Sequence, residues 1–291
     1  IKALNLCVEY GNLAESIPAY SNYGTLLGSI WGEYQKGNEF GQLALELSEN
    51  YSNLYQKCKA CFLYATFQVA WVKHIKCTKD IAKIGFQAGT ESGDIEFSGY
   101  ILACQIFNSL HQGVSIEKSL NEANNSLIFV NKNTNKFARN TIWAAKLCLI
   151  NLNRETKELD NFDSPELKEA EYLQSCWEQK SYMPLSYYYT LKSFILYLYN
   201  RPVEALEAVI EAEKLLEYVV GIIAIADKNF YQSLILTALY PAANFAEQKQ
   251  YWIQLERNQT QMRIWADNCE ANFLHKYLII EAEIARISGN K

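Results

Sequence analysis

The sequence predicts an all-α protein, a right-handed α-solenoid of about seven antiparallel helical hairpins without a β-sheet. Three observations lead to this prediction. The 291 residues include only 5 prolines and 13 glycines, few for a turn-rich β fold. Apolar residues recur at spacings of three and four in segments such as YATFQVAWVKH, YILACQIFNSL and TIWAAKLCLINL. Short polar breaks separate the segments and indicate tight turns between antiparallel helices: QKGNE, IKCTKD, LHQGVS and YNRPVE.

Composition and charge limit the class of protein. Hydrophobic residues make up 49% and charged residues 20%, which fits a globular domain. The formal net charge is −5, so the composition does not show the excess of basic residues that is typical of nucleic-acid-binding proteins. No apolar run is long enough to span a bilayer. We therefore expect neither a nucleic-acid nor a membrane partner. Cys7, Cys104 and Cys148 lie in apolar helical patterns, as buried free thiols do in a reducing compartment, which favours a cytoplasmic location.

Small residues recur at fixed positions in successive hairpins. Ala70 and Ala82 are twelve residues apart, as are Ser193 and Ala205. Cys104 lies 34 residues after Ala70 and is the corresponding small residue in the first helix of the next hairpin. Two helices approach closely only where small side chains face each other, with large residues interdigitating around the contact. This code resembles the tetratricopeptide repeat, whose period is also 34.

The remaining units follow the code less closely. They are Gly28 with Gly41, Ala145 without a clean partner, Ser233 with Ala246, and Ala282. The last unit stops before a second helix, and the chain starts without an initiator Met or a signal peptide. We therefore expect a piece of a longer protein that continues beyond Lys291.

Residues 151–182 form a polar segment that interrupts the repeat pattern. Ser164 and Pro165 predict a helix start there, with Ser164 as N-cap and Pro165 at the first helical position. The sequence thus predicts N-terminal repeats over 1–150, an insertion with a short helix over 151–182, and C-terminal repeats over 183–291 that end mid-repeat. An ordinary long loop is the alternative for the insertion.

Motifs that carry reaction chemistry are weak. Cys58 and Cys61 form a C-x-x-C inside a helical stretch, without the second pair that zinc requires, and are expected to be structural thiols. His74, His111 and His275 are far apart in sequence. No phosphate-binding glycine loop occurs, since the glycines at 85, 89 and 93 fall in a helix and its C-terminal turn. The acidic pairs are expected to be solvated. We expect no catalytic residue, metal or cofactor in this part of the chain.

The candidate binding surface comes from the repeat geometry. In such a solenoid the first helix of each hairpin lines the concave face, and side chains one and four positions beyond the small residue point inward. Those offsets select Trp71, His74, Gln105, Asn108, Lys146, Leu149, Phe194 and Tyr197. Rings supply contact area and amides bond a peptide backbone, so the set suits a protein or peptide partner. Packing against another domain of the same chain is the alternative.

Several phrases resemble one family. They are VEYGNLAESIPAYSNYG, FGQLALELSE, SGDIEFSGYILA, ADKNFYQSLILTALYP and NFLHKYLIIEAEIARISGN. They are similar to the helical-repeat region of large bacterial signalling proteins, abundant in cyanobacteria. Such proteins combine a Ser/Thr kinase-like domain, a signal-transduction ATPase, a GAF domain and a histidine kinase. The resemblance covers nearly all of the chain and is looser over 151–182. It implies a scaffold and no catalytic residue.

The leading hypothesis is therefore a non-catalytic interaction and regulatory domain that links partner or effector binding to kinase output. The alternative is a sensor that binds a small effector in the concave groove. An α-helical enzyme with an unrecognised site is the third hypothesis.

Overall fold

The computed structural model describes residues 1–154 and 159–289, and this part of the chain has fourteen α-helices and no β-strand. The all-α class is therefore confirmed for these residues. The helices are α1 (Lys2–Tyr10), α2 (Ile17–Ser29), α3 (Tyr34–Asn50), α4 (Leu54–Phe67), α5 (Cys77–Ser92), α6 (Ile95–His111), α7 (Ile116–Lys132), α8 (Lys136–Leu152), α9 (Glu169–Glu178), α10 (Tyr182–Leu198), α11 (Pro202–Glu213), α12 (Ala224–Leu239), α13 (Phe245–Asn268) and α14 (Glu270–Ile287).

The chain forms two compact units. Unit 1 contains Ile1–Ile142 together with Val220–Ile223, and unit 2 contains Trp143–Val219 and Ala224–Lys291. In unit 1, consecutive helices pack as hairpins, and α4 also contacts α2 and α6. In unit 2, α10 packs on α11, α13 on α14, and α12 contacts both α10 and α14. Most of these contacts join helices that follow each other in sequence.

Local sequence signals set the ends of several helices. The side chains of Asn53, Asp94 and Asn244 each accept a hydrogen bond from a backbone amide in the first turn of α4, α6 and α13. Gly93 follows α5 in the left-handed conformation, with φ of 79°. Pro202 is the first residue of α11. The predicted breaks at LHQGVS and YNRPVE are confirmed, because they separate α6 from α7 and α10 from α11.

The predicted break at QKGNE is wrong, because these residues lie in the first turns of α3. Gly37 within this segment faces Gly24 of α2. A Cβ atom on either glycine would lie 2.7 Å from the other's carbonyl oxygen. Gly28 and Gly41 do not pair as expected, since a Cβ on Gly41 would meet Gln68 and Tyr64 instead. Gly37 therefore serves a close helix contact and not a turn.

Ala70 lies outside the helix in which the repeat code placed it. Helix α4 ends at Phe67, and Ala70 belongs to a 3₁₀ turn over Val69–Trp71. The close approach between α4 and α5 lies further from the turn, where a Cβ on Gly85 would come within 2.5 Å of the Cys61 Cβ. The irregular turn at residues 68–76 therefore shifts the close contact between α4 and α5 by several residues from the position that the repeat code predicts. Ser193 and Ala205 lie in α10 and α11 as expected, and both are fully buried.

The helix predicted to begin at Ser164 begins at Glu169 instead. The Ser164 hydroxyl does accept hydrogen bonds from the backbone amides of Glu166 (3.3 Å) and Leu167 (2.9 Å). These bonds close a turn without a helix directly after it, because Lys168 is extended and α9 begins only at Glu169. Residues 155–158 of the predicted insertion lie outside the described residues.

Unit 2 contains a polar interior around α12. The Asn258 amide donates hydrogen bonds to Ser233 Oγ (3.0 Å) and Gln232 Oε1 (3.2 Å). The buried Lys228 ammonium pairs with Glu213 at 3.1 Å and donates to Gln232 at 3.0 Å. Burial lowers the pKa of Lys228, and the attraction of Glu213 opposes this shift. Such a network holds α12 in one register, because a displaced helix would leave buried polar groups without partners.

The glycine contact predicts opposite effects for two substitutions in one hairpin. Gly37→Ala should lower the free energy of unfolding by about 1–3 kcal/mol, because the new Cβ meets backbone that cannot rotate away. Gly28→Ala is the control. Its Cβ would meet only the Tyr34 ring, at 3.7 Å, so helix propensity should leave stability unchanged or raise it by up to about 1 kcal/mol. Urea unfolding measures both, and equal stabilities for the two variants would contradict the contact.

Candidate functional site

Trp71 is a core residue of unit 1. Its side chain is 2% exposed, and its Nε1 donates a hydrogen bond to the carbonyl oxygen of Gly221 at 2.9 Å. The indole also stacks on Tyr34 with 5.3 Å between ring centroids. His74, by contrast, is exposed in the turn before α5, where its Nδ1 accepts a hydrogen bond from the Lys76 amide. Because α4 ends before both residues, helical offsets do not determine where their side chains point.

The other predicted residue pair of unit 1 lies on α6. Gln105 is partly exposed, and its amide makes no side-chain hydrogen bond within the described residues. Asn108 is buried, and its Nδ2 has no hydrogen-bond partner among the described atoms. Gln105 lines a cavity of unit 1.

Of the four predicted residues of unit 2, Leu149 is buried and the other three make internal contacts. Lys146 is buried, pairs with Glu166 at 2.8 Å and lies over the Trp143 ring at 4.5 Å. Phe194 stacks on Tyr231 with 4.3 Å between centroids. Tyr197 is partly buried, and burial together with the nearby Glu283 raises its pKa.

The predicted set therefore includes residues of both units, with Trp71, His74, Gln105 and Asn108 in unit 1 and Lys146, Leu149, Phe194 and Tyr197 in unit 2. Their role as one binding surface stays a prediction.

A groove in unit 1 has the features of a binding site and includes Gln105. It has a volume of about 310 Å³ and is formed by three consecutive helices, α5, α6 and α7. We call it the α5–α7 groove. Its lining residues are Lys79, Ala82, Lys83, Phe86, Ile101, Leu102, Gln105, Ile106, Ser109, Gln112, Glu122, Asn125 and Ser126. The floor is apolar and the rim is polar, as in sites that orient a ligand through a few fixed groups.

The charges of the groove are unevenly distributed. Lys79 and Lys83 stand one turn apart on α5, and neither makes an ion pair within the described part of the chain. The opposite wall carries Glu122, whose carboxylate accepts a hydrogen bond from Ser109 Oγ at 3.1 Å. Sequence reasoning missed these charged residues. The spacing of the two lysines was a usable signal, but only the structure shows that α5 and α7 flank α6 at one groove.

Unit 2 contains a larger cavity of about 520 Å³ between α10 and α11, next to residue 160. Its cations are already paired. Arg201 lies 2.5 Å from Asp160 and 2.8 Å from Glu204, and Lys192 pairs with Glu169. The hydrogen bond from Arg201 lowers the pKa of the Asp160 carboxyl. The lining has four carboxylates and two cations, and both cations are already paired, so this cavity offers less to an anionic ligand than the α5–α7 groove does.

Cys58 and Cys61 are buried in the α4–α5 contact as free thiols. Burial raises the pKa of each thiol to about 12, so both are protonated at neutral pH. In residues 1–154 and 159–289, no group of three or more His, Cys, Asp or Glu side chains is arranged to hold a metal ion. Among the same residues, no helix is both long and apolar enough to cross a membrane.

Comparison of the chain with family models, curated proteins and solved structures gives no match. The family resemblance of the sequence therefore stays an expectation.

Trp71 should be required for the stability of unit 1. Trp71→Ala should lower the free energy of unfolding by about 3–5 kcal/mol through lost burial. Trp71→Phe keeps a ring beside Tyr34 but leaves the Gly221 carbonyl without its indole donor, which should cost about 1–3 kcal/mol. The exposed His74→Ala is the control and should change stability by less than about 0.5 kcal/mol. Urea unfolding followed by circular dichroism distinguishes the three variants, and a Trp71→Ala variant as stable as His74→Ala would contradict this role.

The buried thiols should resist alkylation. At pH 8 a thiol with a pKa near 12 is about one part in ten thousand thiolate, the form that reacts. N-ethylmaleimide should therefore label the partly exposed Cys7 and Cys77 in the native protein, and Cys58 and Cys61 only in urea. Peptide mass spectrometry measures each site. Native labelling of Cys58 as fast as that of Cys77 would overturn the prediction.

Proposed function

We propose that the chain is a non-catalytic protein-interaction and regulatory domain of a larger cytoplasmic signal-transduction protein. In this proposal its hairpins form a right-handed, tetratricopeptide-like solenoid that links partner binding to the output of a kinase or ATPase domain. Support comes from the packing of consecutive helices as hairpins in each unit and from the glycine contacts between α2 and α3 and between α4 and α5. Such arrays bind partners on extended surfaces and change curvature at modest cost.

The observation that carries this proposal is an exposed apolar segment at α1. Leu6, Val8, Tyr10 and Leu13 are between 55% and 77% exposed. Single exposed apolar residues are common, but four within eight residues form a patch of the kind that marks interaction sites. Tyrosine is also enriched in the residues that dominate binding energy at interfaces. The concave-face roles of His74, Phe194 and Tyr197 belong to the same proposal.

The second candidate function is sensing of a small effector, and the α5–α7 groove favours it. The groove joins an apolar floor to the ammonium groups of Lys79 and Lys83, which make no ion pair within the described residues, and to the amides of Gln105 and Asn125, which make no side-chain hydrogen bond there. Its volume is within the range of small-molecule sites, roughly 300–1,000 Å³. An effector would act on output only by binding one arrangement of the helices better than another.

Charges placed on α1 should abolish partner binding and leave the fold intact. The bait is the wild-type chain, tested against the remaining domains of its parent protein. Val8→Lys/Tyr10→Lys should weaken binding at least tenfold, because two solvated cations cannot be buried in an apolar contact. Lysine is chosen because a cation suits the C-terminal end of a helix. Biolayer interferometry measures the affinity.

The control variant is Ile128→Lys/Val203→Lys, which adds the same charge at two other exposed apolar positions. It should bind as the wild type does. Equal binding by the α1 variant and the wild type would contradict a role for α1, and no binding by any of the three proteins would contradict the interaction function with these domains.

A further inference from the structure

We infer that the α5–α7 groove is a binding site for a small amphipathic carboxylate, with the hydrocarbon part on the groove floor and the carboxylate between Lys79 and Lys83. This inference rests on the second proposed function, effector sensing, and names the chemical class of the effector.

The floor determines the apolar part of the ligand. Ala82, Ile101 and Ile106 are buried, and Phe86 and Leu102 are partly exposed beside them. These side chains contribute no hydrogen-bonding group, so a polar ligand placed on them would lose water contacts without replacement. A hydrocarbon chain or an aromatic ring gains from the same surface.

The α5 wall determines the charge of the ligand. Lys79 and Lys83 are both exposed and are separated by one helical turn, so their ammonium groups can reach the same anion. By contrast, two other lysines of unit 1 make ion pairs, Lys36 with Glu33 at 3.0 Å and Lys57 with Glu49 at 2.5 Å. The groove has two lysines and one glutamate, which leaves one net positive charge. A monovalent anion balances this charge, whereas an amine adds to it.

Amide groups in the same groove determine the head group. Gln105 on α6 and Asn125 on α7 line the groove, and neither makes a side-chain hydrogen bond within the described residues. Each carries two N–H donors. A carboxylate has two oxygens with several lone pairs, so it can accept from an ammonium group and an amide at the same time.

The size of the groove favours a small molecule over a protein segment. Its volume of about 310 Å³ is at the lower end of the roughly 300–1,000 Å³ typical of ligand sites. Its lining comprises 13 residues, whereas a standard protein interface uses about 20–30 residues on each side. The ligand is therefore expected to be a medium-chain or aryl carboxylic acid.

The test uses three probes of equal chain length: octanoate, octan-1-ol and octylamine. At pH 7 they carry a negative, a neutral and a positive head group. The chain is labelled at isoleucine methyl groups, and each probe is titrated while methyl NMR spectra are recorded. Ile101 and Ile106 line the groove and report its occupancy, and the exposed Ile84 and Ile128, which do not line it, serve as references.

Octanoate should shift the Ile101 and Ile106 signals at lower concentration than either other probe does. Lys79→Gln/Lys83→Gln should weaken octanoate binding about fivefold to tenfold, because two exposed ion pairs are lost. Lys79→Glu/Lys83→Glu should reverse the preference in favour of octylamine. The control, Lys118→Gln/Lys132→Gln, removes the same charge from α7 outside the groove and should bind octanoate as the wild type does.

Each alternative outcome overturns a distinct claim. If octan-1-ol or octylamine binds the groove as tightly as octanoate, the groove remains an effector site but the inferred carboxylate class is wrong. If the two lysine variants at 79 and 83 bind octanoate unchanged, the head-group position is wrong. If none of the three probes shifts Ile101 or Ile106, both the inference and the effector-sensing function fail, and the interaction function of α1 is unaffected.

Discussion

Close contact between helix backbones at glycine is the constraint on which unit 1 depends. Gly24 and Gly37 leave no room for a Cβ between α2 and α3, and Gly85 and Gly89 do the same between α4 and α5. A Cβ on Gly85 would also come within 2.9 Å of Ile101 Cδ1 on α6. The same glycine therefore lets α5 approach α4 and lets Ile101 form part of the groove floor. A contact without spare volume fixes helix positions, because close-packed interiors resist small displacements.

Much of the fold could be predicted from the sequence, because helices and their ends depend on local chemistry. The breaks at LHQGVS and YNRPVE separate helices, and Gly93 ends α5, all as the turn residues indicate. The wrong break at QKGNE has a physical cause. Glycine ends helices, but it also permits close packing, and residues next to it in sequence do not show which role applies. Gly37 has the second role, so the predicted break at QKGNE became the start of α3.

The site was harder to predict than the fold, because it depends on register between helices. The repeat code assumed a continuous helix through Ala70, and its offsets therefore selected Trp71 and His74. That assumption is wrong, because a 3₁₀ turn follows Phe67. Trp71 therefore lies in the core and His74 at the surface. On α6 the helix is regular, and there the same reasoning did find Gln105 at the groove. Lys79 and Glu122 belong to other helices, so no periodicity within α6 could find them.

The groove and the glycine contacts share one helix, α5, and this determines how a ligand could affect the protein. One face of α5 carries Lys79 and Lys83 at the groove, and Gly85 and Gly89 hold α5 against α4. In the inferred complex, a carboxylate held by both lysines can favour one position of α5 over another, because a helix moves as a stiff unit. Movement of α5 must then either break the contacts at Cys58 and Cys61 or displace α4 with it. Packed contacts of this kind shift between discrete arrangements and not by gradual deformation. An effector therefore alters unit 1 only if its two lysine contacts are stronger in one arrangement of α4 and α5 than in the other.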